Sequence, residues 1–182
     1  MARQENETGS REEHLNRWCS LPVPYPELRV QRPNHYYAEL LLEDYAGQVS
    51  EMTAINQYFY HYIIFEEKYD DLAELEECIS IIEMLHLEML SKTILLLGVD
   101  PKLRTLTHNR HIYWNAEYIY YGRGVCDRLA ADIAAEKSAI AQYRKHQDLI
   151  KDPYIDALLE RIIMDERHHL DLFNKMWEKY CK

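Results

Sequence analysis

Glycine and proline are scarce in this chain, at five and six of 182 residues. A β-sandwich or barrel needs turn residues about every ten positions, and long stretches here contain neither, which argues against strands and for helices. Basic residues are outnumbered, with 21 Lys and Arg against 31 Asp and Glu and a formal net charge of -10. No basic stripe stands out, so a nucleic-acid surface is not expected. No apolar run reaches the roughly eighteen residues of a membrane span, and none follows a basic start as in a secretory signal; the cytoplasm is the expected location. Cysteine is limited to Cys19, Cys78, Cys126 and Cys181, with no C-x-x-C spacing. A thiolate metal site and a disulfide framework are therefore unexpected, and the four are read as reduced thiols.

What the chain does have is apolar content, 47%, enough at this length for one core and one domain. Residues 1–34 begin highly polar and end in L-P-V-P-Y-P-E-L-R-V-Q-R-P, which cannot be regular helix and reads as an extended segment with a mobile start. Residues 35–182 read as a bundle. Apolar residues recur at helical spacing over about 37–67, 72–97, 127–150 and 153–179, and Gly98 and Pro101 end the second stretch. The last two helices are separated by a tight K-D-P turn, whereas residues 99–123 form a long aromatic connection suited to crossing from one end of a bundle to the other. The expected fold is all-α, four helices with connections short, long, short.

Two stretches repeat. Glu51 opens E-M-T-A-I-N-Q-Y-F-Y-H, and Glu136 opens E-K-S-A-I-A-Q-Y-R-K-H; I-E-M-L-H-L-E-M-L, with Glu83 and His86, returns as D-E-R-H-H-L-D-L-F, with Glu166 and His169. The order is Glu, Glu-x-x-His, Glu, Glu-x-x-His. Residues three apart share a helix face, so each Glu-x-x-His sets a carboxylate beside an imidazole. Carboxylates in a bundle core are costly unless paired, protonated or metal-bound. Two divalent ions would balance four carboxylates with neutral imidazoles, and oxygen-rich ligands with one nitrogen per metal favour iron or manganese over structural zinc.

With these motifs the chain resembles the ferritin-like superfamily of dinuclear carboxylate proteins, which includes bacterioferritins, rubrerythrins and manganese catalases. The resemblance spans residues 37–179 and implies a ferritin-like four-helix bundle with a long crossover between helices two and three. It implies two metal ions, Glu51 and His86 on one, Glu136 and His169 on the other, with Glu83 and Glu166 bridging. Rubrerythrins usually add a glutamate where this chain has Ala139, and manganese catalases commonly lack the glutamate present here as Glu166. Met84 falls where bacterioferritins carry a haem-ligating methionine, although a lone Met on a helix reads as packing and no haem is expected.

Four neighbours are candidates for supporting the ligands. Tyr58 and Tyr143 lie two turns after the matched glutamates, where a phenol can donate to the site, although a packed core position is the plainer reading. Asp165 precedes Glu166 and is placed to hold an imidazole tautomer, with Ile82 in the matching place. Asp132 lies one turn before Glu136, and Gly47 is its counterpart. His168 is expected at the surface, as are His108 and His111. The preferred function is a dinuclear iron or manganese oxidoreductase acting on hydrogen peroxide or dioxygen, served by an electron-donor protein. The alternatives are a ferroxidase that stores iron and a non-catalytic metal-stabilised bundle. The aromatic crossover suggests a homo-oligomer, at least a dimer.

Overall fold

The helix expected over 37–67 is two helices, because four residues between Ala46 and Glu51 cap both ends of a break. In the computed structural model, which describes residues 18–107 and 110–182, α1 spans His35–Ala46 and α2 spans Glu51–Phe65. Gly47 ends α1 with its N–H on the Glu43 carbonyl, and a Cβ there would lie 2.5 Å from that oxygen, so only glycine fits. Ser50 then restarts the helix: its Oγ accepts from Thr53 N–H at 3.2 Å and donates to the Gly47 carbonyl at 2.8 Å. The break puts Glu51 in the first turn of α2, where the helix dipole favours a carboxylate. Ser50→Ala is expected to lower stability by about 1 kcal/mol and Ser50→Gly by only a few tenths, read from urea unfolding midpoints.

Helix α3 covers Asp70–Leu96 and stops at Leu97, with Gly98 behind it at φ +90°, the left-handed conformation that closes a helix. The crossover holds an antiparallel hairpin, β1 at Arg104–Thr107 and β2 at Arg110–Tyr113, then a 3₁₀ turn at Ala116–Tyr118. Among the described residues this hairpin is the one sheet, in keeping with the scarcity of strands expected from the sequence. Trp114 docks the crossover on the bundle by donating to Thr53 Oγ1 at 2.9 Å. Helices α4, Val125–Leu149, and α5, Pro153–Tyr180, complete the structure, the latter capped by Asp152 with Pro153 in its first turn. Taking α1 and α2 as one broken helix, the architecture is the four-helix bundle with a long second connection.

Apolar packing forms two clusters. One gathers Leu41, Leu42, Leu90, Ile94, Ile155, Leu159 and Ile163; the other gathers Tyr58, Phe65, Leu72, Leu75, Ile79, Leu129 and Phe173. The polar residues of the repeats sit between them.

The cysteines overturn their reading as free thiols. Cys19 is bonded to Cys78 on α3, and Cys126 at the start of α4 to Cys181 behind α5. Pairs 59 and 55 residues apart leave no spacing signature, and only the fold brings them together. The expected mobile start and His108 lie outside the described residues. No helix among the described residues is long and apolar enough to cross a membrane. Met84, read as a packing residue, is 47% exposed.

Candidate metal centre

Each Glu-x-x-His lies within one long helix, and both motifs point into the layer between the two apolar clusters. Glu83 and His86 come from α3, Glu166 and His169 from α5, Glu51 from α2 and Glu136 from α4; all six are buried. Glu51, Glu83, His86 and Glu166 offer donor atoms within 4.8 Å of one another, and so do Glu83, Glu136, Glu166 and His169. Glu83 and Glu166 belong to both groups. One Glu83 oxygen lies 2.8 Å from His86 Nδ1 and the other 3.1 Å from His169 Nδ1. Glu166 does the same, at 3.2 and 3.4 Å. A carboxylate facing two imidazoles through separate oxygens is placed to bridge two cations.

The phenols cross between repeats. Tyr58 on α2 donates to Glu136 Oε1 at 2.6 Å, and Tyr143 on α4 donates to Glu51 Oε1. Burial first, then the adjacent glutamate, holds both phenols well above their usual range, so they remain donors. The same crossing recurs one turn on. Gln57 and His61 bind Asp132 at 2.8 and 3.0 Å, while Gln142 and His146 bind Asp44 at 2.9 and 2.8 Å. Asp132 therefore touches His61 and Gln57 rather than a ligand. The repeated Q-Y-x-x-H was visible in the sequence; its partners, on other helices, were not.

The two imidazoles differ behind the site. His86 Nε2 lies 3.2 Å from Asp165 Oδ2 and 3.2 Å from the Tyr25 hydroxyl, which itself donates to Asp165. An N–H held there leaves Nδ1 free for a cation. His169, with Ile82 at the matching position, makes no hydrogen bond through Nε2 among the described residues, and its Nδ1 faces the two shared glutamates. Tyr25 belongs to a strap that leads in from Cys19. Ser20 Oγ and Leu21 N–H donate to Asp165 at 3.2 and 2.9 Å, and Arg161 donates to the Val23 and Leu21 carbonyls at 2.7 and 2.9 Å. Arg161 also pairs with Asp165 at 2.6 Å, and its guanidinium lies 4.0 Å from the centre of the Tyr25 ring. The proline spacing of this strap marks an extended segment but gives no sign of the role of Tyr25. His168, expected at the surface, lies 3.1 Å from the Trp18 carbonyl at the head of the strap.

The donor set fits two cations. Glu83 Oε1, Glu136 Oε2, Glu166 Oε1 and both His169 nitrogens are buried without a hydrogen-bond partner among the described residues, an arrangement that is costly unless an ion satisfies them. With protons as the only positive charge, the cluster still balances. Burial pushes Glu51 and Glu136 well above the carboxylate range, reinforced by Glu83 and Glu166. Burial also raises Glu83 and Glu166, but the imidazoles outweigh it and both fall below their usual range. His169 rises to about 9 and His86 goes well above its usual value, because the surrounding acidic groups overcome the desolvation that would lower them. Ions loading this cluster must displace those protons. Metal uptake is expected to release protons, one each from His86, His169, Glu51 and Glu136 where pH lies below their shifted values, and affinity is expected to fall as pH drops. Titration calorimetry in two buffers of different ionisation enthalpy reads the number; no release would contradict the ligand set.

A cavity of about 270 Å³ opens onto the four glutamates. Gln57, Tyr118 and Tyr120 form one wall, and Ala131, Ala134 and Ala135 of α4 form another, where small side chains leave room.

A family model described as the ferritin-like domain matches residues 47–180. The bacterioferritin of Streptomyces coelicolor is 33% identical over 126 residues, 67% of this chain and 70% of that one. The bacterioferritin of Rhodobacter capsulatus is 30% identical over 135 residues, 72% and 78% of the two chains. Among solved structures, a manganese catalase from Anabaena PCC7120 superposes with a TM-score of 0.79 at 25% identity, covering 88% of this chain and 79% of that one. The Rhodobacter capsulatus bacterioferritin, with a metal-free dinuclear site and haem iron, superposes with a TM-score of 0.67 at 26% identity, covering 82% and 89%.

Proposed function

The chain belongs to the ferritin-like domain family, and from that premise we propose that it is a dinuclear iron or manganese oxidoreductase acting on hydrogen peroxide or dioxygen. The observation that carries this is the set of orphaned buried atoms, oxygens of Glu83, Glu136 and Glu166, which line the cavity, and both nitrogens of His169. Glu51 and His86 would hold one ion, Glu136 and His169 the other, and Glu83 and Glu166 both. Two such ions supply paired one-electron changes and open positions for an oxygen substrate. The protein's share is positioning and proton control. Asp165 and Tyr25 fix His86, while Tyr58 and Tyr143 hold the two outer glutamates by donating to them. The alanine wall admits a small molecule and the tyrosines around the opening limit its size.

Peroxide chemistry is preferred because the likeness in fold to the manganese catalase is the greater and covers more of this chain. Iron oxidation and storage is the second reading, favoured by the bacterioferritin relatives in sequence. A homo-oligomer, at least a dimer, is part of the proposal, with Ile112, Tyr113, Tyr120 and Tyr121 exposed on the crossover; sedimentation at equilibrium tests it.

The deciding experiment is elemental analysis of protein purified without added metal, with peroxide consumption followed on the same sample. Two iron or manganese per chain with oxygen release indicates a catalase, and loss of peroxide only with a reductant indicates a peroxidase. Uptake of many ferrous ions per chain in air favours storage. Filled metals with none of these activities overturn the enzyme reading.

A further inference from the structure

The two Gln–Asp–His sets match across the repeat, and Glu43 lies 3.4 Å from His146 Nε2 at one of them, but only at the other do three donor atoms converge on one point among the described residues. Glu76 lies next to His61 and Asp132, and one donor atom from each of the three is within 4.8 Å of the others. At the other set the residue matching Glu76 is Leu159, fully buried. Joining two helices through Asp and His therefore does not require a buried Glu at this position.

Glu76 is completely buried, and neither of its oxygens has a hydrogen-bond partner among the described residues. Burial, then the neighbouring Asp132, holds its carboxyl well above the usual range. His61 explains what is missing. Its Nε2 lies 2.8 Å from the Tyr120 carbonyl, which can only accept, so that nitrogen keeps its hydrogen. Nδ1 faces Asp132, 2.9 Å away, and can donate to it only when the ring carries a second hydrogen. Without that hydrogen a lone pair and two carboxyl groups converge in a dry interior, an arrangement that a cation between them would satisfy. Gln57 fixes Asp132 from behind, as the Tyr120 carbonyl fixes His61, so two of the three groups are already oriented by outer hydrogen bonds.

We propose that His61 Nδ1, Glu76 and Asp132 form a third cation site, for a divalent first-row transition ion. It lies one turn from Glu136 along α4 and two turns from Glu83 along α3, about 6 and 10 Å respectively. Gln57 and Tyr120, which orient its ligands, also line the cavity.

The test is manganese loading of the full chain with excess Mn²⁺, desalting and elemental analysis, with an anomalous difference map from crystals of the same sample. Three ions per chain are expected, falling to two in Glu76→Gln, with a third peak among His61, Glu76 and Asp132. Two ions in both proteins and no third peak would mean that a proton shared by Glu76 and Asp132 occupies the site, which overturns the proposal. Three ions in both would place the extra ion elsewhere and overturn it equally. Should Glu76→Gln fail to fold, the parent's map decides alone. Glu83→Ala separates this site from the dinuclear reading, because the third peak is expected to survive when the other two are lost.

Discussion

Glu83→Ala is expected to lose both ions together, whereas His169→Ala is expected to lose chiefly the ion shared with Glu136. Glu83 faces both imidazoles through separate oxygens, so its removal opens both halves of the centre at once. His169 serves one half. The effect on affinity is expected to exceed the roughly 10–100-fold typical of losing an outer hydrogen-bond partner. Stability follows by mass action. An ion present at a hundred times its dissociation constant stabilises the folded chain by about 2.7 kcal/mol, or about 5–10 °C at this size. A chelator, which removes both ions of the centre, is expected to lower the parent's melting temperature by about twice that amount beyond any shift it causes in Glu83→Ala. Equal metal content in parent and variant would remove Glu83 from the site.

Cys19→Ser is expected to have the second largest effect. The Cys19–Cys78 bond closes a loop of about sixty residues between strap and α3, and constraining such a loop in the unfolded chain is worth about 2–4 kcal/mol. A fall in melting temperature of about 5–15 °C is expected. More than stability is at stake. The tethered segment delivers Ser20, Leu21 and Tyr25 to Asp165, and through it to His86. The variant is therefore expected to weaken metal retention on the Glu51–His86 side while Cys126→Ser, whose bond joins the far ends of α4 and α5, costs stability alone. Thiol titration of the denatured, unreduced parent is expected to find no free cysteine; four free thiols would remove the basis of both expectations.

The residues brought together in the centre were legible because one chemistry was written twice. Helical spacing confines Glu83 to the face of His86 and Glu166 to that of His169, so the sequence states which side chains meet within a helix. It is silent about what meets between helices. Asp132 was noticed as a neighbour of Glu136, yet its partners are 75 and 71 residues away on α2. The break at Gly47–Ser50 carried a glycine and a capping serine but was overridden by apolar periodicity that continues across it. Tyr25 had no signal, because its position is set by Arg161, Asp165 and a disulfide rather than by any local pattern.

The exchange of tyrosines between the repeats has a consequence for ancestry. Tyr58 holds the glutamate of the other half and Tyr143 returns the contact, so a chain of half this length would complete its ligands only by pairing with its own copy. Fusion into one chain releases mated positions from having to be identical. Asp165 against Ile82, and Glu76 against Leu159, are differences that a symmetric pair of short chains is unable to encode.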